Sequence, residues 1–130
     1  MRALLGTAAF VLLGCFPARA QQQFETNDGV GRELICDTPM QLERFIAFRN
    51  DGQDAQAAIR SVNAEVHDPI ACGIVVAAFT YGKAIVQLNL QGESVSIIEI
   101  TIVAMSDGAA WMKVPETIQY TIVGNPGTEL

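Results

Sequence analysis

The chain has 130 residues, half of them hydrophobic, with eight Lys and Arg against fourteen Asp and Glu, a formal net charge of −6. That length suits one domain with a sizeable core rather than two. An acidic chain repels phosphate backbones and anionic lipid, so nucleic acid is not an expected partner.

Residues 1–20, MRALLGTAAFVLLGCFPARA, read as a cleavable secretory signal. Arg2 supplies a minimal positive start, residues 3–16 are apolar but short for a bilayer, and Ala18-Arg19-Ala20 is a small-x-small cleavage site. The expected product is periplasmic or secreted, with no membrane span after processing near Ala20. Leu12-Leu13-Gly14-Cys15 offers a competing reading, a lipobox in which Cys15 is lipidated and anchors the protein. Leu13 fits that motif poorly, which favours the soluble product.

Processing would leave 110 of the 130 residues, with six basic against fourteen acidic side chains. It would also leave Cys36 and Cys72 as the two remaining cysteines. In an oxidising compartment such a pair most often forms a disulfide. The loop it closes spans roughly 37 residues, worth about 3–4 kcal/mol in the chain-entropy model. A redox-active pair is the alternative, but no Cys-x-x-Cys spacing is present to tune one thiol against the other.

Residues 21–31 are polar and glycine-punctuated and read as a flexible leader. Residues 32–36 suit a short first strand. Thr38-Pro39-Met40-Gln41 matches a capping box, with Pro39 at the first helical position. Leu42, Phe45, Ile46 and Arg49 then follow at helical spacing, and Asn50-Asp51-Gly52 stops the helix. Asp54 is the expected cap of a second helix, with Ala55, Ala58, Ile59, Val62 and Val66 on one face and Asp68-Pro69 at its end.

From Gly73 the period changes to two. Residues 74–81 form a continuous apolar run, and Gly82 is expected to turn the chain. Residues 83–91 alternate, with Ala84, Val86, Leu88 and Leu90 on one face and Gln87 and Asn89 on the other. Residues 93–105 slip at Ile97-Ile98, where a bulge is expected. Ser106-Asp107-Gly108 is a turn, residues 111–123 form a last strand region that Pro115 either breaks or places on an edge, and residues 124–130 form a tail. The expected fold is α+β: a single domain over residues 32–123, with a helical pair after a short strand packed on a four- to five-stranded antiparallel meander. Curling toward a small half-open barrel is compatible with this pattern. A Cys36–Cys72 bridge would clamp the helical excursion at its base.

Chemistry is sparse. His67, the single histidine, lies in Glu65-Val66-His67-Asp68 and could serve as a metal ligand or general base. The plainer reading is a surface histidine near a helix C-terminus, where its cationic form suits the dipole. Asp51-Gly52-Gln53-Asp54 lacks the closing glutamate of a calcium loop, and no Gly-x-Ser-x-Gly occurs. Neither a cofactor nor a metal is therefore expected. Phe48 lies off the main helical stripe, Trp111 sits beside Met112 ahead of Pro115, and Tyr120 lies in the last strand. These three aromatics are the candidate anchors for a partner. The edge of the last strand is a second candidate, tempered by Lys113 and Pro115.

Ile35-Cys36-Asp37-Thr38, the Ala57-Ala58-Ile59 to Val62-Asn63 helix, Ala71-Cys72-Gly73 and Gln119-Tyr120-Thr121 together resemble a group of small, uncharacterised bacterial exported proteins. The resemblance covers residues 35–121. It implies a periplasmic or extracellular setting and paired cysteines, and brings no functional residues with it. The expected role is a non-catalytic module that binds another envelope protein or component. The alternative is a carrier of a small apolar ligand held between helices and curled sheet, with Gln87 or Asn89 as polar contacts.

Overall fold

The computed structural model describes residues 28–124. The signal, Cys15, most of the leader and the tail beyond Gly124 lie outside the described residues. The order is β1 (Asp28–Cys36), α1 (Pro39–Asn50), α2 (Ala55–Glu65), β2 (Cys72–Leu90), β3 (Glu93–Ser106) and β4 (Trp111–Gly124). This is an α+β fold with two helices and a four-stranded antiparallel sheet. Two further pairs, Ile35 with Thr121 and Cys36 with Tyr120, link β1 back to β4. Among the described residues, no helix is long and apolar enough to cross a membrane.

The helix starts follow from their caps. The Thr38 hydroxyl accepts from Gln41 N–H at 3.2 Å, and the Gln41 side chain accepts from Thr38 N–H at 3.1 Å, so two orphan donors are satisfied reciprocally. Gly52 lies past the end of α1 with φ +106°, a conformation that glycine adopts without strain. Asp54 Oδ1 accepts from Ala57 N–H at 2.8 Å and opens α2. α2 then stops at Glu65, earlier than Asp68-Pro69, because His67 turns the chain with φ 55°. Val66 is consequently exposed, and Asn63 takes the buried place instead.

Three expectations for the strands need correction. β1 is nine residues long and begins at Asp28, within the expected leader, because β2 offers partners from Thr80 to Cys72 along its whole length. Gly29 suits that pairing, since any side chain there would run into the Phe79 ring. Gly82 does not turn the chain. β2 is one 19-residue strand, and the sheet has four strands with no fifth among the described residues. A Cβ at Gly82 would meet the Glu99 carbonyl at 3.0 Å, so the glycine permits close backbone approach within a bulged strand.

The irregularity does fall opposite Ile97-Ile98, but the extra residues are on β2, between Tyr81 and Ala84 and between Ala84 and Val86. The two adjacent buried isoleucines have another cause: the sheet buries both faces. Val95 and Ile97 join Leu42, Phe45, Ile46, Ile59 and Val62 in a core beneath the helices. Ile98, Ile100 and Ile102 join Ile35, Ala77 and Phe79 in a second core. β3 thus keeps its alternation while burial changes sides.

Cys36 and Cys72 form a disulfide between directly paired residues of β1 and β2, with a Cα–Cα distance of 4.1 Å. Both residues are buried in the helix-side core.

Candidate functional site

The second core is open at one edge. Pro69, Ile70, Ala71 and Gly73 face Val114, Pro115, Thr117 and Gln119 of β4 across a cavity of about 440 Å³. Its floor is Ile35, Val75, Ile102 and Met105. None of the lining residues is charged, and the polar side chains present are Thr117 and Gln119. An apolar wall with few polar groups is the usual composition of a small-molecule or side-chain pocket.

The wall at 69–73 is held by a network that begins on α2. Asn63 Nδ2 donates to the carbonyls of Pro69 and Cys72, each at 3.0 Å, while its Oδ1 accepts from Cys72 N–H at 2.8 Å. Asp68 Oδ1 accepts from Ile70 N–H at 3.0 Å, and Asp37 N–H donates to the Ala71 carbonyl at 3.0 Å. With the backbone on either side fixed, Ile70 is left 82% exposed at the rim. On the other wall β4 is not broken at Pro115 but runs through it with a register shift between Thr117 and Lys113, and Thr117 Oγ1 donates to the Pro115 carbonyl at 2.9 Å.

The sequence candidates fall elsewhere and do not converge. Phe48 is half-buried against the helix-side core, and the Arg44 guanidinium lies 4.7 Å from its ring centroid. Arg44 also pairs with Glu65 at 2.7 Å, joining the two helices at their surface. That pairing holds the Glu65 carboxyl below its ordinary range. Tyr120 packs on the same core from β4, opposite Cys36. Trp111 is 51% exposed at the start of β4, paired with Ser106. Gln87 and Asn89 are exposed, toward the opposite end of β2 from the cavity residues Cys72, Gly73 and Val75. The Gln87 amide donates to Ser94 Oγ, and the Asn89 carbonyl accepts from the Asn50 amide. Thr117 and Gln119 are the polar groups that reach the apolar cavity.

A second hollow of about 450 Å³ lies between the helices and the sheet end, with Leu34, Phe45, Leu90 and Ile122 as walls and Glu33, Arg49 and Glu93 among its polar groups. Burial pushes the Glu33 carboxyl above its ordinary value. Arg49 is already committed, donating to the Gln53 carbonyl at 2.9 Å. His67 is exposed in a shallow hollow with Arg60, Asn63 and Asp68. Among the described residues no three His, Cys, Asp or Glu side chains stand close enough together to hold a metal ion.

No family model, no curated protein and no solved structure matches the chain.

Proposed function

We propose that this is a small exported, disulfide-clamped, non-catalytic module that binds an apolar part of another envelope protein or component. The observation that supports it best is the uncharged groove between residues 69–73 and β4, rimmed by Ile70. Export rests on the signal read at residues 1–20. A lipid anchor at Cys15 is the alternative attachment. The resemblance to small exported bacterial proteins belongs to the same reading, as does a curled sheet that approaches a small half-open barrel. Of the three aromatic candidates, Trp111 has the exposure a partner needs, whereas Phe48 and Tyr120 have their rings against the core.

The second reading is a carrier of a small apolar ligand. It draws on the cavity volume, about 440 Å³, which lies within the range of roughly 300–1,000 Å³ that suits such ligands.

One titration tests the groove. An environment-sensitive apolar dye should bind the native chain, and Ile70→Asp should abolish that binding while circular dichroism stays unchanged. Equal dye binding by the variant removes the groove from the reading. Native mass spectrometry of protein recovered from its own envelope then separates the two readings. A reproducible small added mass indicates a carrier, and a bare chain that cross-links to protein from position 70 indicates a module for protein partners.

A further inference from the structure

The hydrogen bonds around the disulfide fix the register of the whole β1–β4 edge. Cys72 N–H and C=O are both taken by the Asn63 amide. In an antiparallel ladder a residue's N–H and C=O point to the same side, so those of Cys72 point away from β1. Cys36 and Cys72 are therefore a non-hydrogen-bonded pair. Their Cα–Cα distance of 4.1 Å agrees, since such pairs lie at about 4.5 Å and hydrogen-bonded ones at about 5.5 Å. It follows that the backbone groups of Cys36 point the other way, toward its β4 partner Tyr120. Asp37 fits the alternation, for its N–H returns to the Ala71 carbonyl.

Tyr120 thus turns its N–H and C=O toward β1 and away from β3. Two residues earlier Ile118 turns the same way. By then β1 has ended: Thr38 N–H is occupied by the Gln41 side chain, and Pro39 begins α1. Among the described residues, Ile118 therefore presents a backbone donor and acceptor to an unoccupied ladder position. The two residues flanking it, Thr117 and Gln119, line the apolar groove. At the far end the Pro115 carbonyl already accepts from Thr117 Oγ1, so the available edge is short.

An unpaired edge beside an apolar groove is what an extended peptide recognises. Main-chain bonds supply affinity, and alternate side chains supply specificity. We infer that the edge of β4 at Ile118 takes an extended segment of another protein. The segment pairs its backbone with Ile118 and lays alternate apolar side chains into the groove beside Thr117 and Gln119. Its ends carry basic residues, because the acids Asp68 and Glu116 adjoin the groove residues Pro69, Pro115 and Thr117 in sequence, against the single cation Lys113 beside Val114. About five residues, roughly 17 Å, fill the edge. This rests on the groove being a binding site, as proposed above, and adds what occupies it and how.

The test uses the full exported chain and a pool of heptapeptides of the pattern lysine–Z–threonine–Z–threonine–Z–lysine, with Z valine, leucine, isoleucine or phenylalanine. Retained members are expected, and N-methylation of both threonine amides in the best one should weaken binding about ten-fold or more. Ile118→Pro should weaken it equally, since proline is tolerated where the N–H faces outward from an edge strand. Ile118→Val should bind as the native chain does. Should the proline variant fail to fold, the N-methylated peptide alone decides.

Retention indifferent to both changes overturns strand pairing. If no peptide is retained while the apolar dye still binds in an Ile70-dependent way, this inference fails and the groove reading stands. If the dye does not bind either, both fail. A concentration-dependent dimer that Ile118→Pro abolishes, with no peptide retained, shows that the edge pairs with a second copy and overturns the partner named here.

Discussion

At the scale of single residues, Asn63 does more than any candidate the sequence offered. One buried amide satisfies the N–H and C=O of Cys72 and the carbonyl of Pro69, tying α2 to the groove wall. Asn63→Leu leaves those groups unpaired and should destabilise the protein by about 2–3 kcal/mol, read as a lower urea midpoint under oxidising conditions. The residue was hard to pick from sequence, because its helical position falls next to the apolar stripe and asparagine is usually exposed. The Thr38 cap, by contrast, was fully legible. Capping boxes are local, and Thr38→Ala should cost about 1 kcal/mol. Glu33 gives a prediction with a definite pH sign. Burial raises its folded-state pKa above the unfolded value, so the native state holds the proton more tightly. Stability from this group is full below the unfolded value and declines as pH rises through the window between the two. Glu33→Gln should be more stable than the native chain at neutral pH, and the difference should vanish in acid below the ordinary carboxylate range. A difference that grows on acidification would contradict the assignment.

At the scale of elements, helices were easier to read than strands for a physical reason. A helix declares itself through contacts three and four residues apart and through caps, all within one stretch of chain. A strand's partner, and the face it buries, are set by residues far away. Ile97-Ile98 looks locally like a slip in alternation, yet both are buried because the sheet has a core on each side. Gly82 looks like a turn, yet it lies within β2 where the Glu99 backbone comes close. That distinction can be measured. Gly82→Ala forces a Cβ against the Glu99 carbonyl and should cost about 1–2 kcal/mol. Gly73, in the same strand, has no heavy atom within 4 Å of the Cβ it would gain. Gly73→Ala should therefore stay within about 0.5 kcal/mol of the native value. The groove was illegible for a related reason: its walls come from four separate stretches, and apolar residues such as Ile70 or Met105 carry no local mark of facing an opening.

At the scale of the whole molecule, the cysteine count and spacing pointed to the bridge and to its place at the base of the helical excursion, but not to the ladder rung it crosses. Cys36 and Cys72 end β1 and begin β2, so the bond closes the loop that contains both helices while crossing a ladder rung that lacks backbone hydrogen bonds. Removing it should therefore act in two ways. The unfolded chain regains the entropy of a loop with a sequence separation of 36, a loss of about 3–4 kcal/mol in net stability. For a domain of this size that is a large share of the total. The native state also loses the covalent tie that holds the 69–73 wall in register with β1. A Cys36→Ala/Cys72→Ala variant should show both effects: a urea midpoint well below that of the oxidised protein, and faster amide exchange at Ile70 and Ala71 than at the α1 amides. Reduction of the native protein should be slow by comparison, since Cys36 and Cys72 are 0% and 3% exposed and a thiolate reaches the bond only after local opening. If the bridge were a redox switch rather than a clamp, mild reductant would open it without unfolding, and the groove's dye binding would change while the helical signal stayed intact. A clamp predicts that mild reductant leaves the groove and the helices intact, and that denaturant removes both together in a single transition.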